Sequence, residues 1–176
     1  LRTTRYRNGE QIFSDESVDW YFASRGAYCA YDKKASNTPI YGLLYNWFAV
    51  NDSRGLCPMG WHIPTEHEWQ LLIGYLGGEE RAGGPLKSTN KWEAPNFGAT
   101  NKSGFNGLPS GYRSSFVPSA MLGWNEGFTD IGEYAHYWSI TPHHNTFTNQ
   151  WTPEWEAISL SLDNKTSDAK LLNYDF

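Results

Sequence analysis

The chain has 176 residues and a formal net charge of −5, the size of one domain that can bury a substantial core without a cofactor or a disulfide. Its nine Trp, eleven Tyr and nine Phe residues together outnumber Ile, Leu and Val, and only three valines occur. That composition argues against the Val- and Ile-rich strands of a parallel α/β enzyme. The acidic balance is a poor match for a nucleic-acid backbone, and no apolar run approaches the roughly 20 residues of a membrane span.

The N-terminal part carries few local signals. The chain starts at Leu1 rather than Met, so we expect a mature fragment or a piece cut from a longer protein. Two cysteines, Cys29 and Cys57, are too few for a disulfide scaffold and do not have a metal-binding spacing. They permit one disulfide or two buried thiols, and both alternatives stay open.

Two helices are predicted in the first half. Over 41–48, apolar side chains recur at the i, i+3, i+4, i+7 spacing of one helix face. A second helix begins at a capping box, in which Thr65 accepts from the N3 amide while Glu68 accepts from the cap amide. Gly77 and Gly78 supply its C-terminal stop. Its apolar stripe consists of Trp69, Leu72, Ile73 and Leu76.

Short strands are predicted in the second half, over 134–140, 156–162 and 169–174. The middle strand has the clearest alternation, with Ile158, Leu160 and Leu162 on one face and two serines on the other. A hairpin turn over 163–165 leads to the last strand. Helices followed by antiparallel strands indicate an α+β domain.

Between these elements, residues 85–153 contain long polar stretches that carry large aromatic side chains. Loops of this length are usually functional or disordered, and the aromatic density argues against disorder. An aromatic ring can stack on a sugar or anchor a protein interface, while neighbouring amides and imidazoles form hydrogen bonds. The predicted ligand-binding residues are Tyr112, Phe116, Trp124, Asn125, His143, His144, Asn145, Trp151 and Trp155. Core packing is the alternative for aromatic residues, and we expect it for Trp47, Trp61, Trp69 and Trp138.

No metal centre is expected. Acidic residues in the loop could supply oxygen ligands to a structural calcium ion, although a solvated loop is the favoured interpretation. These candidates are Glu126, Asp130 and Glu133. We expect no other cofactor.

Short motifs rich in Gly and aromatic residues run in order through nearly the whole chain. They occupy the segments 2–9, 26–29, 41–50, 55–69, 76–78, 82–88, 103–113 and 137–139. In their order they resemble the FISUMP family, the Fibrobacter succinogenes major paralogous domain. The sequence Ile-Pro-Thr-Glu-His-Glu-Trp over 63–69 is also similar to a signature of formylglycine-generating enzymes.

The resemblance implies a C-type-lectin-like fold, with two helices packed on a curled antiparallel sheet and long irregular loops. It implies a single domain over 1–176 that lacks the family's first and last strands. The family's last strand carries a cysteine, which the resemblance makes a natural partner for Cys57 or Cys29. FISUMP domains occur mainly on secreted proteins and surface lipoproteins of Bacteroidetes and Fibrobacteres, generally without assigned chemistry.

Formylglycine-type oxidation would require two redox-active cysteines late in the domain, and none follows Cys57, so we expect no enzyme. The expected function is adhesin-like binding of a glycan or a cell-surface protein through residues 112–155. The expected location is extracellular, on the outer-membrane surface or on a phage virion fibre. The alternative is a structural module of a surface or virion appendage, in which a partner chain completes the open sheet. An uncharacterised enzyme is the third hypothesis.

Overall fold

The computed structural model describes residues 1–14, 25–114, 127–144 and 155–175. The chain divides into two compact units. The first contains Leu1–Ile63 and Tyr112–Thr129, and the second contains Pro64–Gly111 and Asp130–Asp175. Short helices and two sheets occur together, which confirms the α+β class.

The first unit carries a three-stranded sheet of order β1-β2-β3, with β1 parallel and β3 antiparallel to β2. Two single-turn helices flank β3. These elements are β1 (Phe13–Ser14), β2 (Ala27–Cys29), α1 (Thr38–Tyr41), β3 (Leu44–Tyr45) and α2 (Trp47–Val50).

The helix predicted over 41–48 is wrong. Gly42 ends α1 with φ 86°, and a Cβ atom there would lie 2.6 Å from the carbonyl oxygen of Leu1. Asn46 then caps α2 by accepting from the Ala49 amide at 3.0 Å, and the same side-chain oxygen accepts from the Ala27 amide at 2.9 Å. Local hydrogen bonding by an Asn side chain therefore outweighs the helical periodicity of the apolar residues.

The second unit contains two helices and three long strands. The five-stranded sheet has the order β5-β4-β6-β7-β8, and the chain passes from one unit to the other within β4 and within β5. The elements are α3 (Glu66–Tyr75), α4 (Glu79–Leu86), β4 (Ser110–Arg113), β5 (Phe128–Ile131), β6 (Tyr134–His144), β7 (Trp155–Asp163) and β8 (Lys170–Asp175). β6, β7 and β8 are antiparallel, but β4 pairs in parallel with β6, so the expected antiparallel sheet is a mixed one.

Helix α3 begins as the sequence predicts. The Thr65 hydroxyl accepts from the Glu68 amide at 3.2 Å, and the Glu68 carboxylate accepts from the Thr65 amide at 2.8 Å. Behind this capping box, Trp69 and Ile73 are buried in the core. The helix ends before Gly77, whose φ of 104° suits a residue without a Cβ atom.

Helix α4 is not predicted from the sequence, because two glycines and a proline in eight residues disfavour a helix. The structure explains the glycines by close backbone contact. A Cβ atom at Gly83 would lie 2.1 Å from the carbonyl oxygen of Asp168, and one at Gly84 would lie 2.4 Å from that of Gly98. Only glycine allows this helix to approach the two loops so closely.

The core of the second unit is largely aromatic. Phe105 lies edge-on between Trp69 and Tyr137, with ring centroids 5.9 Å and 5.0 Å away. Leu160 and Leu162 of the predicted apolar face of β7 pack in the same core, and Ile158 is also buried. Ser159 and Ser161 on the other face are buried as well. This strand is therefore covered on both sides.

A buried lysine joins two loops of the second unit, the loop that contains Phe97 and the turn between β7 and β8. Lys87 is fully buried, and its ammonium group donates to the carbonyl oxygens of Phe97, Asp163 and Thr166 at 2.9, 2.8 and 2.6 Å. Burial lowers the pKa of Lys87, while the charges of Asp163 and Asp168 oppose that shift. All three donors of the ammonium group are used, so this residue belongs to the scaffold.

The core expectation for tryptophans is mostly confirmed. Trp47 and Trp69 are buried and Trp138 is half-buried, but Trp61 is 73% exposed, so its assignment to the core is wrong. The Trp61 amide closes a turn onto the Pro58 carbonyl oxygen at 3.0 Å, and this tight turn leaves the ring at the surface.

Cys29 and Cys57 are both buried, and no disulfide joins the two in the structure. The pairing of either cysteine stays a prediction. Burial also raises the pKa of the Cys57 thiol, which makes it a poor nucleophile.

Among the described helices, none is long and apolar enough to cross a bilayer.

Candidate functional site

Most of the predicted binding loop falls outside the described residues. This applies to Phe116, Trp124, Asn125, Asn145 and Trp151, and to the calcium candidate Glu126. Their assignment stays a prediction. Tyr112 is half-buried in β4.

The pairing of β6 with β7 brings a predicted tryptophan of one strand beside two predicted histidines of the other. His144 lies opposite Trp155, and His143 lies opposite Glu156. The backbone therefore collects both histidines and one tryptophan at the same end of the β6–β7 hairpin.

Helix α3 anchors β6 just before that end. The Ile140 amide donates to the Pro64 carbonyl oxygen at 2.9 Å, and the Thr141 hydroxyl accepts from the Glu66 amide at 3.0 Å. The second bond satisfies an amide in the first turn of α3 that has no partner within the helix. A register shift lies in the same stretch, since β6 runs from Trp138 to Pro142 while β7 runs only from Ser159 to Ala157.

The other calcium candidates flank the turn that joins β5 to β6. The Glu133 amide donates to the Asp130 carbonyl oxygen at 3.0 Å, and the Glu133 carboxylate lies 3.5 Å from the Lys165 ammonium group. Within the described ranges, no group of three or more His, Cys, Asp or Glu side chains could hold a metal ion. The calcium hypothesis stays a prediction.

A cavity of about 450 Å³ lies in the first unit, far along the chain from the predicted loop. Part of its wall is a hairpin over residues 4–12. Two hydrogen bonds of 2.9 Å close this hairpin: the Tyr6 amide donates to the Glu10 carbonyl oxygen, and the Ile12 amide donates to the Thr4 carbonyl oxygen. Strand β1 and residues of the segment 25–28 complete it, together with Arg54. We call it the Phe13–Arg25 cavity.

Two arginines lie over aromatic rings in this cavity. The Arg25 guanidinium carbon is 3.7 Å from the centre of the Phe13 ring, and that of Arg54 is 4.0 Å from the centre of the Tyr6 ring. Both distances are in the range of cation–π contacts. The Phe13 side chain remains 43% exposed, so its ring is accessible from solvent.

Arg54 is held by two carboxylates. Its Nε and Nη2 atoms donate to the two oxygens of Asp52 at 2.8 and 2.7 Å, and Nη1 donates to Glu10 at 2.6 Å. These hydrogen bonds raise the pKa of Arg54 and hold the pKa of Asp52 at about 2. The charge of Arg54 is therefore balanced locally, and its role is to fix the Tyr6 ring.

The Tyr6 hydroxyl is buried beside Gly26. The residue is only 3% exposed, and the Asp52 carboxylate lies near enough to interact with this oxygen. A Cβ atom at Gly26 would lie 2.0 Å from it, so the glycine is required here. Burial raises the pKa of Tyr6, and the negative charge of Asp52 raises it further, while Arg54 opposes the shift. The hydroxyl is a protonated donor at neutral pH.

Sequence reasoning did not find this cavity, because its residues belong to four short segments that no motif connects. The signal that could have indicated it is weak: the alternation of Arg with Tyr and Phe in the first 54 residues.

Comparison with protein families places the chain in a family. The family model described as the Fibrobacter succinogenes major domain covers residues 1–171. Comparison with curated proteins and with solved structures finds no match. Since the family model spans nearly the whole chain, the protein belongs to the Fibrobacter succinogenes major domain family, as its motifs indicate.

Proposed function

We propose that this chain is a non-enzymatic, adhesin-like domain that binds a glycan or a surface protein. The observation that carries the proposal is the Phe13–Arg25 cavity. Its volume of about 450 Å³ lies within the roughly 300–1,000 Å³ of small-ligand sites. Its wall combines an accessible Phe13 ring with hydroxyl and amide groups, including those of Thr4 and Gln11. This combination suits a sugar, which presents a C–H face to a ring and hydroxyls to polar groups.

The aromatic loop over 112–155 is the second contact region of the proposal. The backbone register of His144 and Trp155 supports it, because the two residues are neighbours across the hairpin. We also propose a C-type-lectin-like arrangement of the fold, supported by two helices in the unit that holds the antiparallel β6–β7–β8 strands. The proposed setting is a secreted or cell-surface protein, or a virion fibre, and protease treatment of intact cells would test it.

A glycan array probed with the purified chain tests the binding function. We expect binding that Phe13→Ala reduces and Phe97→Ala preserves. Phe97 is a matched control, since it is an exposed phenylalanine (58%) in the other unit. Retention of full binding by Phe13→Ala would exclude the cavity as the site.

The triple variant Trp124→Ala, His144→Ala, Trp151→Ala tests the loop separately. If binding is lost only in this variant, the loop is the site and the cavity is not. If no glycan or intact cell binds the chain, the binding function is wrong.

One observation favours the alternative of an assembly module. β8 is the outer strand of the five-stranded sheet, and Leu172 on it is 38% exposed. An outer strand with an exposed apolar side chain can pair with a strand of another chain. Light scattering after size exclusion tests this: self-association that Leu172→Lys abolishes would favour assembly, and a monomer at all concentrations would count against self-association.

A further inference from the structure

We propose that the Phe13–Arg25 cavity selects an anionic saccharide, with the sugar ring on Phe13 and its carboxylate on the Arg25 guanidinium group. This inference rests on the proposed binding function and names the ligand class of the same site.

The charge of the wall supports an anion. Among the described residues that line the cavity, two are arginines and none is Asp or Glu, although the chain as a whole has a net charge of −5. Asp52 and Glu10, which balance Arg54, do not line the cavity. The remaining positive charge of the wall is that of Arg25, and a local cation on an acidic protein favours an acidic ligand.

The geometry of Arg25 supports a carboxylate in particular. At 3.7 Å from the ring centre, the guanidinium group rests on the face of Phe13. A guanidinium group that lies over an aromatic ring still carries five N–H donors in a planar fork. Two parallel N–H donors match the two oxygens of a carboxylate.

A free inorganic anion shares the charge of a uronic acid but lacks the sugar ring. The volume of about 450 Å³ and the accessible Phe13 ring favour the sugar, since a small anion would leave both unused. The experiment therefore uses probes that carry the negative charge alone, the sugar ring alone, or both.

Titration calorimetry and saturation-transfer NMR would compare four probes: glucuronate, glucose, acetate and inorganic phosphate. We expect glucuronate to bind roughly tenfold more tightly than glucose, because a charge-assisted pair contributes about 1.5 kcal/mol. Acetate and phosphate should bind more weakly than glucuronate. Arg25→Gln should remove the preference for glucuronate and leave glucose binding unchanged. Arg81→Gln is the control, since Arg81 is an exposed arginine of α4 in the other unit, and it should preserve the preference.

Thermal unfolding of each variant shows whether it is folded. Arg25→Lys provides a second test, because lysine keeps the positive charge but lacks the planar pair of N–H donors. We expect its preference for glucuronate over glucose to lie between those of the unmodified chain and Arg25→Gln. Equal affinity for glucuronate and glucose would overturn this inference and leave the proposed binding function intact. Phosphate or acetate binding as tightly as glucuronate would show a simple anion site and also overturn it. If none of the saccharides binds, both this inference and glycan recognition at the cavity fail.

Discussion

The ammonium group of Lys87 donates to the carbonyl oxygen of Asp163, 76 positions later in the chain, at 2.8 Å. With its bonds to Phe97 and Thr166, this one side chain joins the loop around Phe97 to the turn between β7 and β8. The second unit thus relies on a fixed charge where its loops meet.

Replacing Lys87 should strongly destabilise the protein. In Lys87→Met, three partly buried carbonyl oxygens lose their donor, and we expect a loss of about 3–5 kcal/mol in the free energy of unfolding. Urea denaturation measures this. The exposed Lys102→Met is the control and should change stability by less than about 0.5 kcal/mol. A small effect of Lys87→Met would show that water replaces the ammonium group readily.

Two helical glycines should respond to alanine in opposite directions. At Gly74 in α3 a Cβ atom meets nothing within 4 Å, so Gly74→Ala should stabilise the protein by about 0.5–1 kcal/mol. At Gly83 in α4 the Cβ atom would lie 2.1 Å from a backbone oxygen, and Gly83→Ala should destabilise by roughly 3 kcal/mol. Thermal unfolding of both variants checks the signs; stabilisation by Gly83→Ala would contradict the close packing of α4.

The two tryptophans flanking the capping box should differ sharply. Trp69→Ala removes a buried ring from the core and should lower stability by about 3–5 kcal/mol. Trp61→Ala removes an exposed ring and should change it by less than about 0.5 kcal/mol. Chemical denaturation of both variants decides this, and equal losses would place Trp61 in a core after all.

His136 should make the protein less stable in mild acid. Burial holds its pKa at about 4, against the opposing charge of Asp130, whereas an unfolded histidine titrates near ~6.5. Between these values the unfolded state binds the proton first, so stability is full above about pH 6.5 and falls as the pH approaches 4. We expect roughly 2 kcal/mol of this loss by pH 4.5 to come from His136.

Urea denaturation at pH 7 and pH 4.5 isolates that contribution. His136→Gln should lose less stability between the two values than the unmodified chain, while His67→Gln, exposed on α3, should lose the same amount. An unchanged pH dependence in His136→Gln would mean that this histidine is protonated in the folded state.

The parts of the fold that the sequence predicts are those specified by neighbouring residues. The Thr65 and Glu68 side chains meet within one helical turn, and the alternation in β7 is contained in seven residues. The predictions are wrong or missing where contact with a segment that is distant in sequence determines the local conformation. Gly83 is required in α4 because the Asp168 backbone lies against it, and Gly42 is required after α1 because the Leu1 backbone lies against it.

The candidate site follows the same rule. The Phe13–Arg25 cavity is assembled from four segments joined by contacts such as Arg25 on Phe13, which leave no local pattern in the sequence. The predicted loop, in contrast, was recognised by composition alone, and only the pairing of His144 with Trp155 adds a spatial relationship to it.

The anchor between α3 and β6 divides the β6–β7 pair into two parts that are held in different ways. Hydrogen bonds between residues 64 and 140 and between residues 66 and 141 fix β6 from outside the strand pair. Beyond this point, residues 142–144 are held by their pairing with residues 155–157. A change in the pairing of this last stretch therefore need not be transmitted to the strands over the core.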